Sequence, residues 1–144
     1  MADLAELESR IGTLEDIEAI KRLKAKYLRC LDLKLWDEMA ECFAEDATTD
    51  YTDGQHRQYG RDAILGFLRK GLGRTHFFGF HQCHHPEIKI TGETTATGVW
   101  SLHYYMIDSQ EKKGYQCGAF YNDEYVKING EWKMKSTGYT RIFE

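Results

Sequence analysis

The chain has 144 residues, which suits a single domain that buries roughly 70% of the surface its unfolded form would expose. Hydrophobic residues make up 42% of it and there is one proline, so the composition excludes a disordered chain. A net charge of -4 with both signs interspersed argues against a nucleic-acid-binding or anionic-membrane-binding surface. The four cysteines form no C-x-x-C pair, and neither a signal peptide nor a membrane-spanning run is visible. We therefore expect reduced, mostly buried thiols in a cytoplasmic protein.

The first twelve residues predict a helical arm that precedes a single domain over residues 13–144. Leu4, Leu7, Ile11 and Leu14 recur at heptad-like spacing in an otherwise polar segment, and Gly12 interrupts it. This stripe suits either a helix packed on its own domain or a contact with a neighbouring subunit, and its short length leaves both open.

The segment 13–32 predicts the helix around which the domain is organised. Thr13 and Asp16 have the spacing of a capping box, which predicts that the helix starts there. A stripe at steps of three and four faces the core, and a set of basic residues is expected on the solvated side. The stripe comprises Ile17, Ile20, Leu23, Tyr27 and Leu31, and the basic set comprises Lys21, Arg22, Lys24 and Lys26. Because the stripe contains Tyr27 and ends at Asp32, this helix is expected to form the wall of a pocket.

Two further helices and a short strand are predicted before residue 75. Leu35, Met39 and Phe43 mark a short second helix, and a strand centred on Tyr51 ends in a turn at Asp53-Gly54. A third helix follows Gly60. It directs Ile64, Phe67 and Leu68 to the core and stops at Gly71 and Gly73.

From Thr75 onward, four runs rich in aromatic and β-branched residues predict consecutive strands, with Asn129-Gly130 as the strongest hairpin signal. Helices followed by a run of strands indicate an α+β fold, in which a curved antiparallel sheet is closed on one face by helices. In the run from 96 to 108, alternation directs Trp100, Leu102, Tyr104 and Met106 to the interior.

Three of the six histidines lie in the segment FHQCHHPEI. Alternation groups His81 with His85, and His84 with Ile88 and Ile90, but a bulge near Pro86 could reverse the phase. The residues alone therefore do not say which histidine enters the core. No metal-ligand spacing and no cofactor-binding motif is present, so we expect neither a metal nor a cofactor. A pocket that contains Asp, His and Tyr suits proton transfer next to a carbonyl.

The motifs DIEAIK, KYLRCLD, TDYTDG, HPEIKI and TGYTRIFE together resemble the SnoaL-like family of the NTF2-like superfamily, whose fold is a cystatin-like α+β cone. Within it they are most similar to bile acid 7α-dehydratase and, more distantly, to scytalone dehydratase. The resemblance covers residues 16–144. It implies a hydrophobic small-molecule substrate, free or as a coenzyme A thioester, and a homo-oligomer, which the family suggests is a trimer.

The resemblance also implies the site. His81 would be the general base, Asp32 would orient it, and Tyr27 and Tyr51 would hold substrate oxygens or a water. Tyr139 and Arg141 would lie near the pocket, as the resemblance implies, and the strand alternation adds Trp100 and Tyr104. His84 completes the expected substrate-binding set.

Three departures from the family pattern separate this chain from the bile acid enzyme. Tyr104 replaces an active-site aspartate, the loop after Asp108 is shorter, and the chain ends before the C-terminal extension of that enzyme. We therefore expect a cofactor-independent dehydratase that acts on a different steroid-like or polyketide-like compound. The alternatives are an isomerase or cyclase that uses the same pair, and a non-catalytic ligand-binding protein.

Overall fold

The computed structural model describes residues 1, 3–51 and 53–144, in which three helices pack on a six-stranded sheet. The helices are α1 Leu4–Leu33, α2 Trp36–Ala40 and α3 Arg61–Leu72. The strands are β1 Phe43–Tyr51, β2 His56–Tyr59, β3 Phe77–Ile90, β4 Thr95–Asp108, β5 Lys113–Ile128 and β6 Glu131–Phe143. None of these helices combines the length and the apolar character that a membrane crossing requires.

Helix α1 is one continuous helix of 30 residues, so the prediction that it starts at Thr13 is wrong. Asp3 is the N-cap, and its side chain accepts a hydrogen bond from the Glu6 backbone N–H at 2.8 Å. Thr13 lies within the helix, where its hydroxyl donates to the Ser9 carbonyl. A single glycine lowers the stability of a helix interior by only about 1 kcal/mol relative to alanine, so the helix continues past Gly12 without a break.

The apolar stripe of the first turns of α1 does not pack on its own domain. Leu4, Leu7, Ile11 and Leu14 are all exposed. Of the two interpretations of this stripe, the structure removes the one in which it is covered by the same chain.

The sheet has the strand order β2-β1-β6-β5-β4-β3, with every neighbouring pair antiparallel except the parallel pair β1–β6. The core lies between its inner face and the helices, and β3 is an edge strand beside α1. This is the predicted α+β cone. The strand β2 was not predicted, and Phe43 begins β1 instead of ending the second helix.

Two local features of the strands confirm the turn and bulge chemistry of the sequence. Asn129 and Gly130 join β5 to β6 with positive φ values of 50° and 79°, as a type I′ hairpin requires. In β3, His84 pairs with Ser101 while Glu87 pairs with Val99, so an extra residue is inserted between them. This bulge reverses the phase of the strand. His81 and Cys83 turn inward before it, and Ile88 and Ile90 turn inward after it.

The prediction that Lys24 faces solvent is wrong, because its side chain is fully buried. The Lys24 Nζ donates to Asp123 Oδ2 at 2.7 Å and lies 3.5 Å from the centre of the Tyr121 ring. Asp123 also accepts hydrogen bonds from the hydroxyls of Tyr125 and Thr137. The cation therefore belongs to a buried polar network, which is the condition under which a charged group can leave water.

Candidate functional site

An aspartate from the last turn of α1 and a histidine from β3 are joined by two hydrogen bonds. Asp32 Oδ1 lies 2.6 Å from His81 Nδ1, and Asp32 Oδ2 accepts a hydrogen bond from the His81 backbone N–H at 2.9 Å. The second bond is available because β3 is an edge strand, whose outward N–H groups have no neighbouring strand. Both side chains are nearly buried, with 12% of Asp32 and 8% of His81 exposed. The carboxylate therefore fixes the orientation of the imidazole.

The His81 side chain borders a cavity of about 280 Å³ between the inner face of the sheet and the helices α1 and α3. The lining is mainly aromatic and aliphatic, with several phenol hydroxyls and one arginine. It comprises Tyr27, Leu31, Tyr51, Phe67, Leu68, Gly71, Leu72, Arg74, Phe77, His81, Tyr104, Met106, Tyr121 and Tyr139. An apolar cavity with a few convergent polar groups is the usual form of a small-molecule site.

Two tyrosines meet at one wall of this cavity. The hydroxyls of Tyr27 and Tyr51 lie 2.8 Å apart, so one donates to the other. Burial raises the pKa of Tyr27 well above its ordinary value and also raises the pKa of Tyr51. Both phenols therefore remain protonated at neutral pH, and one O–H stays available as a donor to a substrate oxygen.

A third tyrosine lies directly on the histidine. The rings of Tyr104 and His81 are stacked, with centroids 4.8 Å apart and planes 20° from parallel. Burial raises the pKa of Tyr104, and a hydrogen bond to Tyr139 acts in the same direction. Tyr104 thus places a neutral, stacked phenol directly beside the imidazole.

The structure divides the predicted site residues between the cavity and other surfaces. Tyr139 lines the cavity with Tyr27, Tyr51, His81 and Tyr104. Arg141 lies outside it and pairs with Asp53 and Glu144.

The other two predicted residues, Trp100 and His84, lie outside the cavity as well. They border an open groove of about 620 Å³ between α1 and the edge strand β3, on the far side of the Asp32–His81 pair. Trp100 also donates its ring N–H to the Tyr125 hydroxyl at 3.0 Å. Asp32 borders this groove and His81 borders both spaces, so the pair forms a wall between the cavity and the groove.

Sequence reasoning missed several residues that line the cavity, of which Tyr121 and Arg74 matter most. Tyr121 shares an inward face with Ala119 and Asp123, an alternation that was readable in the β5 sequence. Arg74 lies in the loop between α3 and β3, where no periodic signal exists. It is the only permanently charged residue among the described residues that line the cavity.

No group of three His, Cys, Asp or Glu side chains that could hold a metal ion occurs within residues 1, 3–51 and 53–144. The four cysteines are free, and burial raises the pKa of Cys42 to about 11 and that of Cys83 to about 12. At neutral pH these two thiols therefore carry little thiolate, the form that reacts as a nucleophile.

Three of the solved structures that resemble this chain illustrate the similarity. The first, described as a "Putative Scytalone Dehydratase" from Novosphingobium aromaticivorans, is 27% identical with a TM-score of 0.83; the match covers 91% of this chain and 87% of that one. A hexachlorocyclohexane dehydrochlorinase, LinA-type3 from Novosphingobium barchaimii, has a TM-score of 0.83 at 16% identity, covering 93% and 91% of the two chains. An NTF2-like protein with a cystatin-like fold from Novosphingobium aromaticivorans has a TM-score of 0.80 at 19% identity, covering 99% and 92%.

The two structures under 25% identity show the fold, which is NTF2-like, and the first adds sequence similarity to it. The sequence profile of the SnoaL-like domain matches residues 12–138, which is most of the chain. The chain therefore belongs to the SnoaL-like domain family.

Proposed function

We propose that this protein is a cofactor-independent dehydratase that removes water next to a carbonyl in a hydrophobic small molecule. The observation that carries this proposal is the Asp32–His81 pair, which is held by two hydrogen bonds and borders an aromatic cavity. The neighbouring tyrosines are protonated donors, which suits a carbonyl oxygen that gains negative charge during proton removal.

The chemistry needs only a proton shuttle. With the Nδ1–H donating to Asp32, His81 Nε2 is the base that takes a proton from the carbon next to the carbonyl. The electron pair of that C–H bond forms the new double bond, and the C–O bond to the β-hydroxyl breaks. The imidazolium returns its proton to the departing hydroxyl, which leaves as water. Asp32 stabilises the imidazolium, and Tyr27 or Tyr51 donates to the carbonyl oxygen.

Two solved neighbours support an elimination. One is described as a putative scytalone dehydratase and another as a dehydrochlorinase, and both names denote the removal of a small molecule from adjacent carbons. Such a reaction is redox-neutral, so the step balances without an oxidant or a reductant.

The test is a panel of β-hydroxy ketones and β-hydroxy thioesters of one to four rings, followed by the absorbance of the conjugated product. We expect turnover of at least one member, its loss in His81→Ala, and unchanged activity after dialysis against a chelator, because a proton shuttle needs no Lewis acid. If no member is dehydrated while one is bound saturably, the protein is a binding module. Activity that is lost on chelation and restored by zinc would overturn the mechanism.

An isomerase or cyclase remains the second candidate, because the same pair can return its proton to a different carbon. It is distinguished by incubation in heavy water. Deuterium incorporated next to the carbonyl without loss of water favours this candidate, whereas a conjugated product favours the dehydratase.

We also propose that the chain forms a homo-oligomer, for which the family resemblance suggests a trimer. Large apolar side chains are exposed on the outer face of the sheet, away from the helices, and some pair across strands, as Phe80 does with Tyr105. The set comprises Phe78, Phe80, Tyr105, Ile107, Phe120 and Phe143. A contiguous apolar patch on a folded protein marks an interaction surface. Sedimentation velocity should show an assembly that the double substitution Phe80→Lys, Ile107→Lys reduces to a monomer; a monomeric wild-type protein would contradict it.

A further inference from the structure

Within the part of the chain that the structure describes, the cavity has a cationic residue at its rim and no acidic residue in its lining. Arg74 is the only described lining residue with a permanent charge, since Asp32 lies behind His81 and borders the outer groove instead. The remaining polar groups of the lining are the imidazole and the phenols, whose raised pKa values in Tyr27, Tyr51, Tyr104 and Tyr121 keep them neutral. A cationic ligand would therefore find no counter-charge there, whereas an anionic ligand would find one.

The Arg74 side chain is held at the rim while most of its donors stay available. The guanidinium carbon lies 3.8 Å from the centre of the Phe77 ring, and one terminal nitrogen donates to the Gly71 carbonyl at 3.3 Å. Among the described residues no carboxylate forms an ion pair with it, whereas Arg29, Arg57 and Arg141 each have an acidic partner. A guanidinium presents five N–H donors in a planar fork that matches a carboxylate.

The loop that carries Arg74 is fixed by the end of α1. Lys34, in the left-handed cap position of that helix, donates its Nζ to the carbonyls of Arg74 and Phe77 at 2.7 and 2.6 Å. The Phe77 backbone N–H donates to the same Arg74 carbonyl at 3.1 Å. These bonds commit Lys34 to the backbone, which leaves Arg74 as the cation that faces the cavity.

Size limits the rest of the ligand. A cavity of about 280 Å³ lies just below the range of about 300–1,000 Å³ that is usual for small-molecule sites. The rings of Tyr104, Phe67 and Tyr51 form flat walls, which suit a planar body. A body of one or two rings suits this volume better than a four-ring skeleton does.

We propose that the ligand of this site is a small, planar carboxylic acid of one or two rings, whose carboxylate binds Arg74 at the rim while its body lies between the tyrosines. The inference rests on the proposed function for the position of the reacting carbonyl, which is expected near His81, at the opposite end of the ligand from the carboxylate.

Calorimetry on the full chain tests the inference with two probes, 2-naphthoate and its methyl ester, which differ in the negative charge and in one methyl group. We expect the acid to bind about tenfold tighter than the ester at low salt, as one charged hydrogen-bonded pair at a partly exposed position supports. Arg74→Met should abolish this preference, and Arg74→Lys should keep part of it. Arg69→Met is the matched control, because Arg69 lies in the last turn of α3 outside the cavity lining, and it should keep the preference in full.

Equal binding of acid and ester by the wild-type protein would overturn the inference, as would failure of both probes to bind. Loss of the preference in Arg69→Met to the same extent as in Arg74→Met would also overturn it. Arg74-dependent binding of coenzyme A alone would do so too, by assigning the rim to a carrier's phosphates. None of these affinities requires His81 to take a proton. An acid preference without dehydration would therefore leave this inference standing while the proposed function fails, and dehydration of neutral compounds without the preference would do the reverse.

Discussion

Asp32 uses both of its oxygens on one histidine, and this geometry makes the two residues a single catalytic unit in the proposed mechanism. One oxygen holds the ring nitrogen and the other holds the backbone of the strand that carries the ring. Removing the carboxylate would release both the orientation of the imidazole and the stabilisation of its charged form.

We therefore predict that Asp32→Asn and His81→Ala each lower turnover by about 10²–10⁴-fold, the usual contribution of positioned acid–base groups. The double variant should lose little more than either single variant, because the two residues act together. Steady-state kinetics with any substrate found in the panel measures this. Asp37→Asn, in an exposed acid of α2, and His103→Ala, in a residue that bonds Gln116 away from the cavity, are the controls. Losses that multiply in the double variant would contradict the single unit, and an active His81→Ala protein would place the base elsewhere.

Lys24 is a buried cation whose substitution should lower the stability of the protein. Its partner Asp123 is buried, and a buried carboxylate that loses its cation costs about 3–5 kcal/mol. We predict that Lys24→Met lowers the free energy of unfolding in urea by about that amount. Lys21→Met, in a largely exposed pair with Glu18 one turn away, should change it by about 0.5 kcal/mol or less. A loss of stability in Lys24→Met as small as the loss in Lys21→Met would show that the Asp123 charge needs no counter-ion.

At the scale of elements, the first turns of α1 form a helix without support from the rest of the domain. Gly12 has nothing within 4 Å of the position that a β-carbon would occupy. Gly12→Ala should therefore stabilise this part of the helix by about 0.5–1 kcal/mol, through backbone entropy alone. Amide hydrogen exchange of residues 4–15 should slow by about two- to fivefold, with the amides of α3 as an internal control. Equal slowing of the α3 amides would mean that this stretch opens only with the whole domain, and unchanged exchange in residues 4–15 would contradict the predicted stabilisation.

The elements that the sequence predicted are those whose signals are local. The alternation around Trp100 and Tyr104 and the Asn129-Gly130 turn are each visible within a few consecutive residues, so the strands and their hairpin could be derived. The strand β2, the parallel pairing of β1 with β6 and the burial of Lys24 depend on residues far apart in the chain, and no local pattern records them. The inward face of His81 depended on one extra residue in β3, which left the phase open.

Part of the geometry of the candidate site follows from a local pattern. The helix stripe that ends in Tyr27 and Asp32 indicated a pocket wall, and in the structure Asp32 bonds His81 while Tyr27 bonds Tyr51. Arg74 lies in a short loop whose position depends on bonds from Lys34, so it could not be found from periodicity. Trp100 was assigned to the cavity because the whole inward face of β4 was treated as one surface, although α1 divides the space above it.

At the scale of the whole molecule, the inward side of the protein is dominated by protonated tyrosines. Burial raises the pKa of Tyr27, Tyr51, Tyr121 and Tyr125 above the ordinary value of about 10. Because each folded-state pKa is raised, the stabilisation is fully present below pH 10, where the unfolded tyrosines are also neutral. It is lost as the pH rises from about 10 toward the folded-state values, because only the unfolded chain then releases protons.

We predict that the free energy of unfolding is flat with respect to these tyrosines up to pH 9 and falls above pH 10, by up to about 1.4 kcal/mol per pH unit for each such tyrosine. Urea titrations followed by circular dichroism at pH 8 to 11 measure this slope. Tyr121→Phe should make the alkaline slope shallower, because one ionising group is removed from the unfolded state. The same slope in the variant and the wild-type protein would assign the alkaline loss to other groups.

The bulge between His84 and Glu87 has a consequence for how sequences of this family are compared. It separates β3 into a segment that carries His81 and a segment that carries Ile88 and Ile90. Odd-numbered residues face the interior in the first segment, and even-numbered residues face it in the second. Deletion of one residue here would keep every aligned letter of HPEI and yet turn either the histidine or the isoleucines outward. An alignment gap placed one position away from the bulge would therefore transfer the role of His81 to a surface residue. In this chain the length of this short segment therefore decides, independently of its composition, which side chains of β3 face the interior.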